Sequence, residues 1–270
     1  MWAGRVRGPA LYTSTDGRFA AIVTDYGQYG VILDIATGRT IALDRGPYQC
    51  KTTPFPIAFL DDAVIVATDW NRLDLFDMAS GHLSSNRDTA WQRECPRPEH
   101  YLDYFHGRLL LNPSGGSLAD DGWIWSPVGA PSVIDVEGWR RGDTYAAEHG
   151  EALSYRSYAW DQPIAWIDDT TIAIQRIGHD DEAMLDGVEI YDAPSGRRIA
   201  IFAGPNGRMW AYRGKLHVAA STGMEIWNRE TGARISHLTD FRPTAHDPVT
   251  GAFAELRENR LRTWRPDQPS

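Results

Sequence analysis

Positive charge is scarce in this chain. Its 27 Lys and Arg face 36 Asp and Glu, a formal net charge of −9, and Lys51 and Lys215 are its only lysines. Nucleic acid and anionic membranes are gripped through excess positive charge, so this balance argues against both as general partners. An acidic surface instead suits solubility or a basic protein partner. Cysteine is nearly absent: Cys50 and Cys95 make no disulfide framework, and two cysteines alone make no zinc site. We expect both to be reduced thiols. No apolar run reaches membrane-spanning length. The opening residues 1–12 (MWAGRVRGPALY) lack the apolar stretch of a signal peptide. The expected location is the cytoplasm.

Catalytic signatures are missing as well. There is no G-x-S-x-G elbow, no phosphate-binding G-x-x-x-x-G-K-[ST] loop and no H-E-x-x-H pair. Ser114-Gly115-Gly116-Ser117 is glycine-rich, but no lysine follows it, and a turn explains it better. The expectation is a protein without catalytic residues and without a cofactor.

What the chain does have is aromatic mass, with 11 Trp, and a repeat. Residues 56–62 read PIAFLDD and residues 163–169 read PIAWIDD, each followed by a short β-branched run, AVIVA and TTIAI. A strand, a tight acidic turn and a second strand make a hairpin. Looser versions turn at Asp16-Gly17, His106-Gly107, Arg213-Gly214 and near Gly251. A further strand then ends in a turn: VILDIATGR, LDLFDMASGH, VEIYDAPSGR and MEIWNRETGA. The same spacing joins Asp34 to Gly38, Asp77 to Gly81, Asp192 to Gly196 and Asn228 to Gly232. An Asx side chain bonds backbone N–H groups two residues on and Gly accepts positive φ, so the spacing is turn chemistry. SVIDVEG and LRTWRP are degenerate fifth and sixth copies, and a fourth strand follows in several, as at Thr40–Leu43 and Ile199–Phe202.

Six hairpins and six such strands predict an all-β chain, a β-propeller of six four-stranded blades in one domain, residues 1–270. The pattern resembles WD40 and related bacterial β-propeller repeats. The Trp-Asp pair of that family stands here as Leu33-Asp34, Phe76-Asp77, Ile134-Asp135, Tyr191-Asp192, Trp227-Asn228 and Trp264-Arg265. A seventh blade is possible if 139–162 hides a strand pair, and a β-sandwich is the alternative architecture. The resemblance implies closure of the last blade by the N-terminal strand, residues 1–7, because the chain ends soon after Trp264.

The resemblance also places the long segments 85–100, 113–130, 139–162 and 177–187 on one face, where extra length is commonly functional. The candidate binding residues there are Trp91, Trp123, Trp125, Trp139 and Trp160, with His179, Asp180 and Asp181. Aromatic rings at such a face either anchor a partner or cap the ends of the blades. His179-Asp180-Asp181-Glu182 carries ligand-type side chains, yet no second cluster accompanies it, so a solvated acidic loop is the expectation and no metal. The functional reading is a monomeric, non-catalytic scaffold for protein binding, in a narrower form a regulator or antidote that masks a basic partner. The rival readings are a propeller lyase or hydrolase with an axial metal, and a glycan-binding propeller.

Overall fold

The Asx turns form as their spacing dictates. Asp34 Oδ1 accepts from the backbone N–H of Ala36 at 3.0 Å and of Thr37 at 3.2 Å. Asn228 Oδ1 does the same with Glu230 and Thr231. Gly38, Gly81, Gly196 and Gly232 close these turns at φ between 63° and 73°, where a Cβ would be strained. The computed structural model describes residues 8–84, 87 and 95–266, which form six antiparallel sheets in chain order, the blades of a six-bladed β-propeller.

The chain packs as two compact units, Met1–Asp161 and Gln162–Ser270. In the first unit, sheet one runs β1 (Gly8–Thr13), β2 (Phe19–Asp25), β3 (Tyr29–Asp34) and β4 (Thr40–Asp44). Sheet two has β5 (Ile57–Phe59), β6 (Ala63–Asp69) and β7 (Arg72–Asp77), and a lone Phe76–Leu83 bridge marks the position of its fourth strand. Sheet three has β8 (Phe105–Leu111), β9 (Ser117–Ile124), β10 (Val128–Gly129) and β11 (Ser132–Asp135), then the short helix α1 (Val136–Arg140), β12 (Glu151–Ala152) and β13 (Arg156–Ser157). β10 and β11 pair in turn with β9, and β13 and β12 pair with them, so four strand lines are present.

The second unit holds β14 (Ile164–Trp166), β15 (Thr171–Ile177), β16 (Leu185–Asp192) and β17 (Arg197–Ala203), then β18 (Arg208–Tyr212), β19 (Lys215–Ala220), β20 (Gly223–Asn228) and β21 (Arg234–Leu238). Its last sheet is β22 (Ala245–Asp247), β23 (Ala252–Arg257) and β24 (Arg260–Trp264). The strand expected to complete that sheet, residues 1–7, lies outside the described residues.

Strand β6 shows how a blade is held. Val64 and Val66 pack with Phe19, Ile32 and Phe55, while Ile65, Ala63 and Ala67 pack with Leu109, Leu118 and Ile134. Alternation at period two sends successive side chains to opposite faces, and both faces are dry because a neighbouring sheet covers each. The third strands add a buried acid. Glu189 accepts from Tyr191 Oη at 2.7 Å and pairs with Arg198 at 2.5 Å; Glu225 accepts from Trp227 Nε1 at 3.1 Å and pairs with Arg234 at 2.7 Å. In both sheets the acid, the aromatic two residues on and the arginine nine residues on repeat, so one hydrogen-bonded charge pair pins the third strand to the fourth.

Sheet three departs from the expected register. His106-Gly107 is not a turn: both residues lie inside β8, and the turn falls at Asn112–Gly116, where Asn112 Oδ1 accepts from Ser117 N–H and Gly115 has φ 73°. Gly107 serves close approach instead, since a Cβ there would stand 2.0 Å from the Asp121 carbonyl oxygen. The segment 113–130 is therefore mostly strand, not loop. Nor does 139–162 hide a seventh blade, because β12 and β13 extend sheet three. Gly107→Ala should destabilise the chain by roughly 1–3 kcal/mol as the two backbones are forced apart. Urea melts read this, and an unshifted midpoint would return the position to a turn.

Candidate functional site

The first unit gathers its chemistry on the segments that join second to third strands and one sheet to the next. Arg45 organises the longest described of these, 45–56. Its guanidinium is buried and donates to Gly27 O at 2.8 Å, Pro54 O at 2.8 Å, Thr53 O at 2.8 Å and Thr53 Oγ1 at 3.1 Å, and to Cys50 O. Burial lowers its pKa to about 10, so it stays charged at neutral pH. Asp25 Oδ1 receives the N–H of Phe55 at 2.9 Å and ties the same segment to the end of β2.

Beneath this segment lies an aromatic stack. Phe105 and Trp123 are parallel at 4.1 Å between centroids, and Trp123 continues onto Trp160 at 5.2 Å. Thr52 anchors both indoles: its Oγ1 accepts from Trp123 Nε1 and its carbonyl from Trp160 Nε1, each at 3.0 Å. Trp125 meets Phe105 and Trp123 edge-on, at 5.4 and 5.3 Å. Tyr48 and Trp70 also lie against Phe105, at 5.8 and 4.9 Å, and Tyr48 meets Trp70 edge-on at 5.3 Å. Trp125 is 48% exposed and Tyr48 47%, whereas Trp123 is 1% exposed. The stack is thus a buried column with exposed rings at its rim.

A recess with room for about one water molecule opens between Arg45, Tyr48, Cys50, Asp69, Trp70 and His106. His106 Nδ1 sits 2.6 Å from Asp120 Oδ2, whose other oxygen accepts from Gly107 N–H at 2.9 Å. His106 Nε2 is buried without a partner. The backbone around the rim is held in uncommon conformations: Tyr26, Gln49, Tyr158 and Asp161 have φ between 54° and 56°, and Ser126 has φ 130°. Non-glycine residues of this kind cost of order 1–3 kcal/mol each and persist only where their surroundings hold them. Here Tyr26 Oη donates to Asp161 at 2.5 Å and Arg108 lies 3.7 Å from the same carboxylate.

The sequence-derived residues divide. Trp91 lies outside the described residues. Trp123 and Trp160 belong to the buried stack, and Trp139 on α1 packs with Ile134, Val136 and Ala146 in the core. None of these three presents a ring to solvent; Trp125 does. His179, Asp180 and Asp181 are exposed in the second unit, in the segment after β15, where Asp180 Oδ1 accepts from Glu182 N–H and Asp181 pairs with Arg176. Among the described residues no three His, Cys, Asp or Glu side chains gather as a candidate metal cluster, and His179, Asp180 and Asp181 form none. Tyr48, Trp70 and the His106–Asp120 pair went unread in the sequence. Trp70 carried a usable signal, since it stands between two strands on a two-residue connection.

No protein-family model and no curated protein sequence matches the chain. Among solved structures, one chain of a mitotic checkpoint complex is similar at TM-score 0.60 and 16% identity, over 97% of this chain and 76% of that one. The β-propeller domain of Cps50 (Swd1) from Myceliophteria thermophila is similar at TM-score 0.47 and 13% identity, over 78% and 67%. The first likeness is one of fold alone. No described helix is long and apolar enough to cross a membrane.

Proposed function

We propose that the chain is a non-catalytic interaction module, a single propeller domain that holds another protein against the aromatic rim of its first unit. The observation that carries this reading is Trp125, half exposed on a short connection and seated edge-on against a buried stack. Rings of this kind supply large contact area at small entropic cost, and they dominate binding where a rigid base supports them. The rim carries exposed carboxylates beside the exposed Lys51. Asp44 and Asp69 are exposed, and their hydrogen bonds come from Gln28, Gly46 and Trp70, none of which neutralises a carboxylate. Together with the net charge of −9, this favours a basic partner segment, drawn in by long-range attraction and fixed by cation–π contact. A recess that holds one water is too small to enclose a substrate, which supports contact across the rim over chemistry within it. A regulator or antidote that masks its partner is the narrower form of the same reading, and it rests on charge.

Captured from the native cell extract, partners should be retained by the wild-type chain and lost with Trp125→Ala or Tyr48→Ala. An exposed change elsewhere in the unit, such as Arg18→Ala, should leave capture intact. Retention should also fall as salt rises, because exposed charges are screened. Equal capture by all variants would remove the rim from the binding surface.

A further inference from the structure

Away from the aromatic rim, two histidines far apart in sequence meet. His100 Nδ1 lies 3.2 Å from His149 Nε2. Tyr145 stacks on the His100 ring at 3.8 Å and 21°, which limits its rotation. On the far side of the other ring, Asp143 Oδ2 stands 3.9 Å from His149 Nδ1. We propose that His100 and His149 chelate a divalent transition ion of the zinc class through these two facing nitrogens.

The spacing fits the ion. Two imidazole nitrogens bound at about 2.0–2.1 Å to one tetrahedral centre stand about 3.3–3.4 Å apart. A small rotation of either ring supplies the difference. At 3.9 Å Asp143 is beyond hydrogen-bond reach of His149 Nδ1, and a small rotation of its exposed side chain would bring the two into contact once the ion is bound. A carboxylate behind a ligating histidine is the usual outer support of such a metal. A direct N–H···N hydrogen bond spans the same distance, but His149 is exposed and water competes for that bond. A metal bond to nitrogen withstands that competition. No third acidic, histidine or cysteine ligand joins the pair among the described residues, and water can complete the coordination of a two-histidine site. The site is open and exchangeable, and the ion would clamp the segment before β8 to the turns that follow α1.

The full chain, stripped with a chelator and titrated with zinc chloride in a calorimeter, should show one saturable site, and its melting temperature should rise with added zinc. His100→Ala and His149→Ala should each weaken that binding by about tenfold or more, and Asp143→Asn by a smaller factor. Melting in chelator verifies that each variant is folded; if His100→Ala is not, His149→Ala decides alone. Absence of a saturable site, or zinc binding unchanged in folded His149→Ala, would overturn the proposal.

Discussion

Trp123→Ala should lower the free energy of unfolding by about 3–5 kcal/mol, while Trp125→Ala, two residues on and past the end of the strand, should cost about 1 kcal/mol or less. Trp123 lies flat between Phe105 and Trp160, and truncation would leave a void with rings on both sides. It would also strip Thr52 Oγ1 of the indole N–H it accepts at 3.0 Å. Close-packed interiors relax only partly around such a gap. Trp125 has water on one side already and gives up little beyond its edge contacts. Urea titration of the two variants beside wild type gives both numbers. Similar losses for both would mean that Trp125 belongs to the scaffold, and the binding surface would then have to be sought elsewhere.

Acidification should weaken the second unit through His217. Its ring is 1% exposed, sits 4.7 Å from Phe253 and leaves Nδ1 without a partner. Burial, with the nearby His246 as a second contributor, lowers its pKa from 6.5 to about 4. The unfolded chain therefore takes up the proton first as pH falls, at about 6.5, while the folded chain resists until about 4. Stability is fully present above pH 6.5 and is lost progressively down to pH 4, by about 3 kcal/mol over that window. His246, which stacks on Phe253 at 4.3 Å and is lowered by burial, adds to the loss in the same direction. His217→Leu should flatten the curve of stability against pH between 6.5 and 4, whatever it does to stability at neutral pH. Parallel curves for wild type and variant would refute the assignment.

Legibility followed the range of the interaction. The Asp-to-Gly turns are closed by atoms within four residues of one another, so their repetition could be read along the chain, and with it the number of blades. The pairing of Glu189 with Arg198 and Glu225 with Arg234 is also written in the sequence, as an identical acid–aromatic–arginine spacing. In sheet three the reading slipped. Residues 113–130 read as one long connecting segment and His106-Gly107 as a hairpin tip. In the fold Asp120 is fully buried and bonded to His106, and Gly107 lets the Asp121 carbonyl approach.

That slip moved Trp123 from a strand to a loop, which is why it was grouped with Trp125. Composition and local spacing determined an acidic, all-β repeat chain with turns at defined places and blades of predictable order. Which indoles are buried, which one is offered to solvent, and which histidines meet were decided by tertiary structure alone. Thr52 reaches Trp123 and Trp160, and His100 reaches His149, across stretches of chain that no local pattern spans. A ring in a strand is buried only when a neighbouring sheet arrives to cover it.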